Sequence, residues 1–172
     1  MCGTLPCSKR KRGKHVTLEE LCPLVIARAR ERHVTLGTAE SLTGGMICSS
    51  LVGVSGASEV LLGGVCSYAE SVKHRLLGVP QEIIDTVGVV SAPCASAMAE
   101  GARHALGCDV AVSATGVAGP GGGTMETPVG TVFLGIATPL QTCVEECHFE
   151  GDRRSVRRQS VEKALQMILQ SI

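Results

Sequence analysis

The sequence predicts an α/β protein: a single-domain, three-layer α/β/α sandwich around a mixed sheet. Three observations carry that expectation. β-branched runs alternate with stretches of helical spacing along the chain. Two of those runs empty directly into glycine-rich turns. The last two runs, Val129–Ala137 and Thr142–Phe149, read as a hairpin, so the sheet is parallel where crossovers occur and antiparallel at this pair. A length of 172 residues suits one domain, and with one Tyr, two Phe and no Trp the core must be built from Val, Ile, Leu and Ala.

The elements follow in order. Thr17-Leu-Glu-Glu20 is a capping-box pattern announcing a helix with Leu21, Leu24, Val25 and the stem of Arg28 on one face. Pro23 opposes it, so the helix is expected either to begin near Cys22 or to kink at the proline. Val34–Ala39 reads as a strand, Glu40-Ser41-Leu42-Thr43-Gly44-Gly45 as a tight turn, and Met46–Val52 as the helix it feeds. After a loop at Val54–Ser58 comes a glycine-bearing strand, Glu59–Tyr68, then a helix over Ser71–Leu77 stopped by Gly78 with Pro80 beyond. Gln81–Val87 is a short helix, and Ser91 caps a longer one, Ala92–Leu106, whose Ala95, Ala99 and Ala102 make a small-residue face. Asp109–Thr115 is a buried strand ending in the loop Gly116–Gly123, and Gly151-Asp-Arg153 leads into a closing helix, Ser155–Leu169. No internal repeat and no linker divides the chain.

Net charge is zero, but Lys9, Arg10, Lys11, Arg12 and Lys14 stand without an acid in residues 1–15. That segment is expected to be a basic, disordered tail ahead of a domain at 16–172, with nuclear targeting or an anionic surface as alternatives. The body is then mildly acidic, which argues against nucleic-acid binding. No apolar run is long enough for a bilayer, and no signal-peptide pattern occurs, so a cytoplasmic protein without membrane contact is expected. The nine cysteines include no C-x-x-C pair. Cys22, Cys48, Cys66, Cys94 and Cys108 lie among apolar or small residues and read as small buried hydrophobes in a reduced protein. Cys143-Val-Glu-Glu-Cys147-His148 reads as a strand rather than a metal cluster, and neither metal nor cofactor is expected.

Chemistry concentrates at the first glycine turn. Ser41 would sit between a strand end and a helix start, where unpaired N–H groups carry partial positive charge suited to an oxyanion or a phosphate. Gly44 and Gly45 would let a ligand approach that backbone. The plainer alternative is that Ser41 or Thr43 is only an N-cap. In open α/β sheets ligands collect beyond the carboxyl ends of strands, and Ser41, Tyr68, Thr115 and Gly116 all stand at such ends.

Several motifs then occur in one register: Thr38-Ala-Glu-Ser-Leu-Thr-Gly-Gly45, Tyr68 with Lys73 five positions on, Leu77-Gly-Val79, Gly88-Val-Val-Ser91, Thr115-Gly-Val-Ala-Gly-Pro120, Pro128-Val-Gly-Thr131, and Gly151-Asp-Arg153 with Arg157. Together, from about residue 17 to 170, they resemble the CinA C-terminal domain family, which contains the nicotinamide-nucleotide amidohydrolases, also called nicotinamide mononucleotide deamidases. The resemblance implies hydrolysis of a carboxamide, with Ser41 as nucleophile, Lys73 as its base and Tyr68 as a hydrogen-bonding partner. It also implies an oligomer, at least a dimer, to which the alanine face is a candidate contributor. On this reading Gly44 and Gly45 serve the oxyanion, Thr43 is a further substrate-binding residue, Thr115, Gly116, Ala118 and Gly119–Gly123 wrap the nucleotide substrate, and Arg153 or Arg157 completes a phosphate site. A lysine can act as the base only if burial or positive neighbours depress its pKa; a solvated helix lysine is the alternative. The chain departs from the family pattern at Leu42 in place of cysteine, Glu70 in place of asparagine and Thr127 in place of lysine. The last two bear on ligand contacts, so an amidase for another carboxamide, or a nucleotide-binding regulatory module without turnover, are the competing readings.

Overall fold

A computed structural model describes residues 17–172; the tail expected at 1–15 lies outside the described residues. Five strands form one sheet in the order β2-β1-β3-β4-β5: β1 (Leu36–Glu40), β2 (Leu61–Cys66), β3 (Val110–Gly116), β4 (Thr131–Ala137) and β5 (Thr142–His148). β1 pairs parallel with β2 and β3, whereas β3–β4 and β4–β5 are antiparallel. The sheet is therefore mixed as expected, and the expected hairpin is β4–β5.

Helices cover both faces. α1 (Leu18–Arg32), α2 (Met46–Val52) and α6 (Arg153–Ser171) share a core with Leu36, Val110, Val112 and Ala114. On the other side, α3 (Glu70–Leu77), α4 (Gln81–Thr86) and α5 (Ala92–Leu106) pack with Ala39 and Ala111. Successive strand side chains point to opposite faces, so β3, covered on both, is buried from Val110 to Thr115.

Several local expectations are corrected. α1 begins at the capping box, where Thr17 N donates to Glu20 Oε2 at 3.0 Å, and runs through Pro23 rather than starting near it. Pro23 is exposed, which leaves the carbonyl that loses its helical donor open to water. On the same helix Leu24 is 54% exposed, and Cys22, Ile26 and Ala29 join Leu21 and Val25 on the inner face. β2 is shorter than expected because residues Ala57–Glu59 close a 3-10 turn. Cys22, Cys94 and Cys108 are buried, but Cys48 is only half-buried and Cys66 is exposed on edge strand β2.

The alanines of α5 have a role other than the one expected. Ala95, Ala99 and Ala102 are fully buried, so this face packs into the protein's own core and does not present an oligomer surface. Its smallness lets α5 sit close on the sheet: Ser113 Oγ donates to the Ala95 carbonyl at 2.6 Å, and Gly135 N donates to Ser113 Oγ at 3.2 Å. A Cβ at Gly135 would stand 2.5 Å from the Ala95 carbonyl oxygen. Gly135→Ala is therefore expected to destabilise the protein by about 1–3 kcal/mol through overpacking. Urea denaturation checks this, and an unchanged midpoint would show that α5 moves outward freely.

Candidate active site

Alternation at the end of β1 sends two adjacent side chains in opposite directions. Glu40 goes to the α2 side, where Oε2 accepts from Ile47 N at 3.0 Å and Oε1 from Cys48 N at 2.8 Å and Thr38 Oγ1 at 3.2 Å. Ser41 goes to the α3 side, where Lys73 Nζ lies 3.0 Å from its Oγ. Ser41 N donates to the Ala114 carbonyl at 2.9 Å, tying the residue to β3 as well.

Lys73 is 1% exposed, which excludes the solvated-lysine alternative. Its Nζ also donates to the Ser67 carbonyl at 2.6 Å. Burial lowers its pKa below the ordinary lysine value, and the Cys94 thiol and the Glu70 carboxylate oppose that shift in part. The Cys94 thiol is pushed up by the same burial. With Lys73 neutral, Nζ keeps one lone pair for the Ser41 hydroxyl proton while still donating to Ser67.

The turn that carries Ser41 is held from two sides. Arg157, on α6, donates from Nε to the Leu42 carbonyl at 2.9 Å and from Nη2 to the Thr43 carbonyl at 2.8 Å. Gly44 and Gly45 have φ of 60° and 91°, the left-handed region that glycine tolerates best, and Gly45 is the N-cap of α2. The N-cap alternative for Ser41 and Thr43 is thus set aside. The α2 amides that would have met an anion are occupied by Glu40, whereas the Leu42, Thr43 and Gly45 amides have no acceptor among the described residues. Thr43 is buried, and its hydroxyl and that of Ser67 have no partner among the described residues.

Other candidate residues stand around this centre. Tyr68 is 69% exposed, and its hydroxyl is bonded to neither Ser41 nor Lys73; it accepts from Arg153 Nη2 at 3.4 Å. Arg153 Nη1 donates to the Gly119 carbonyl at 2.9 Å, so it ties β2's end to the second glycine loop. In that loop the Thr115 hydroxyl donates to the Val89 carbonyl at 2.6 Å, Gly116 packs on the Thr131 backbone, and Ala118 is buried. These positions offer a ligand backbone rather than side chains, while residues 120–126 are exposed. His33, His74, His104 and His148 are all exposed, and none forms part of the Ser41 centre. A broad depression lined by Arg30, His33, Thr35 and Glu59 opens at the opposite end of the sheet, on the side where ligands of such sheets do not gather.

Sequence reasoning missed Glu40, Ser67 and Cys94. A carboxylate closing an apolar strand run was a signal for Glu40, since a buried charge needs dedicated partners. Ser67 acts through its carbonyl, which no residue pattern marks.

Fold and site define an α/β sandwich with a half-buried serine against a buried lysine beyond the carboxyl ends of its parallel strands. The chain belongs to the CinA C-terminal domain family, whose model matches residues 18–172. A CinA-like protein of Anaeromyxobacter dehalogenans is 48% identical over 150 residues, covering 87% of this chain but 37% of that protein. The chain thus spans little more than a third of the length of such relatives. Among solved structures, the competence/damage inducible protein of Agrobacterium tumefaciens superposes with a TM-score of 0.87 at 35% identity, covering 89% of this chain and 94% of that one. A CinA superfamily protein of Escherichia coli superposes with a TM-score of 0.90 at 31% identity, covering 95% of each chain. No helix among the described residues is long and apolar enough to cross a membrane.

The buried lysine has a consequence for stability. Its pKa is lowered in the folded state, so below the folded value it is charged in both states and folding bears the full desolvation cost. As pH rises from the folded towards the unfolded value the unfolded chain holds the extra proton, and stability rises. Lys73→Met is expected to be more stable than wild type at neutral pH, with the gap closing as pH approaches about 10.4. Urea titrations at pH 6, 8 and 9.5 read this, and a gap independent of pH would contradict it.

Proposed function

We propose that this protein is a serine amidase that converts nicotinamide mononucleotide and water to nicotinic acid mononucleotide and ammonia. The observation that carries the proposal is the 3.0 Å contact between Ser41 Oγ and Lys73 Nζ, made by a lysine whose burial depresses its pKa. A pure binding module has no use for a desolvated base against a serine hydroxyl, which favours the enzyme over the regulatory reading.

In this mechanism neutral Lys73 takes the Ser41 proton as Oγ bonds to the carboxamide carbon. The carbonyl oxygen becomes an oxyanion, for which the Leu42, Thr43 and Gly45 amides are the available donors. Collapse breaks the C–N bond, the lysine ammonium gives its proton to the departing nitrogen, and ammonia leaves an acyl-Ser41 ester. Water then attacks that ester with Lys73 again as base, releasing the carboxylic acid and restoring the serine. Arg153, at the mouth beside Gly119 and Tyr68, serves the phosphate together with the exposed loop after Gly119. Arg157 acts on the Ser41 turn through two carbonyls, which leaves Arg153 the better phosphate ligand.

Ammonia release over a panel of carboxamides tests the reading; activity confined to compounds other than pyridine nucleotides would redirect the substrate, and none at all would remove the enzyme. Ser41→Ala and Lys73→Ala are each expected to abolish most turnover, with the double variant little worse than either, because they act as one unit. In wild type, kcat/KM should rise with pH through the lowered Lys73 pKa, since only the neutral amine accepts the proton. Arg153→Ala should raise KM for the mononucleotide and lose less on the nucleoside. Equal losses on both would assign Arg153 to holding the loop.

A further inference from the structure

Glu40 is 1% exposed, adjacent to Ser41, and engaged on all sides by donors. Burying a carboxylate is costly unless it is fully hydrogen-bonded, and here the compensation comes from the positive end of α2 and from Thr38. Its main chain has a second engagement: the Glu40 carbonyl accepts from Ser67 N at 2.8 Å, and the Ser67 carbonyl in turn holds Lys73 Nζ. One residue therefore fixes the start of α2 with its side chain and the lysine-bearing segment with its backbone. Ser41 lies between the two.

We propose that Glu40 is a positioning residue for the nucleophile: its carboxylate clamps the β1–α2 turn so that Ser41 Oγ stays on Lys73 Nζ. This rests on the serine–lysine reading above. The clamp also makes the α2 N-terminus self-occupied, so substrate anions are held elsewhere. A glutamine at 40 offers one acceptor oxygen and an NH2 that cannot accept from Ile47 or Cys48. An aspartate keeps the charge but is one methylene too short to reach both amides.

The test uses protein labelled with 15N-lysine, in which the Lys73 Nζ resonance is assigned by its loss in Lys73→Met. In Glu40→Gln the proposal expects a changed Nζ chemical shift above the Lys73 pKa, an unchanged pKa midpoint, and kcat reduced about 10–100-fold at similar KM. Glu40→Asp should behave likewise, since geometry rather than charge is at issue, and it carries the comparison if the glutamine variant does not fold. A Glu40→Gln protein with a lower melting temperature but a wild-type Nζ resonance and kcat would reduce Glu40 to a helix cap and overturn the proposal. A displaced Lys73 midpoint would overturn it too, by showing action through charge. If wild type hydrolyses no carboxamide the amidase reading fails, and the Nζ resonance still decides whether Glu40 holds the contact.

Discussion

The centre of this structure is a closed circuit of contacts: Ser41 Oγ to Lys73 Nζ, Nζ to the Ser67 carbonyl, Ser67 N to the Glu40 carbonyl, and back along the peptide to Ser41. It depends on keeping an amine out of water. Desolvation costs the protein stability at neutral pH, and the same desolvation lowers the pKa of the amine. The surrounding elements maintain that condition: α3 carries the lysine inward, α5 brings Cys94 against it, and β1 ends where the serine can meet it.

Much of the fold was legible because local signals agreed with one another. Met46–Val52 and Ala92–Leu106 occur with the limits expected from glycines and from the Ser91 cap, whose Oγ accepts from Cys94 N at 3.3 Å. The closing helix starts earlier than expected because Asp152 caps it, accepting from Ser155 N at 2.8 Å, and it runs on to Ser171. Pro23 misled because its rule concerns the backbone alone, whereas Leu21, Cys22, Val25, Ile26 and Ala29 bury enough apolar surface to override one missing bond. The α5 alanines misled differently. Small residues signal close approach, and sequence does not say whether the approaching surface belongs to the same chain.

The candidate site was legible in the pairing of Ser41 with Lys73 and less so in the other contacts around them. The separation of Ser41 and Lys73 by 32 positions is bridged by two successive strand–helix units, a connection the motif order conveyed. What the sequence could not convey was who occupies the helix N-terminus. A helix start just after such a serine suggests free donors, but the carboxylate one residue before it, on the opposite face of the strand, reaches those amides first. Likewise Tyr68 and Thr115 have hydroxyls suited to a ligand, yet in this structure they are bonded to Arg153 and to Val89.

Arg157 reaches the carbonyls of residues 115 and 114 positions earlier in the chain. Such contacts are among the last to form, because the intervening loop must close before they can contribute. During synthesis the serine and lysine emerge together in the first half of the fold, while the guanidinium that braces the serine turn arrives with the final helix. Bracing of the Ser41 turn is thereby coupled to completion of the domain, because the same helix that carries the Arg157 guanidinium also supplies Val156, Val161, Ala164 and Leu165 to the core on that face of the sheet.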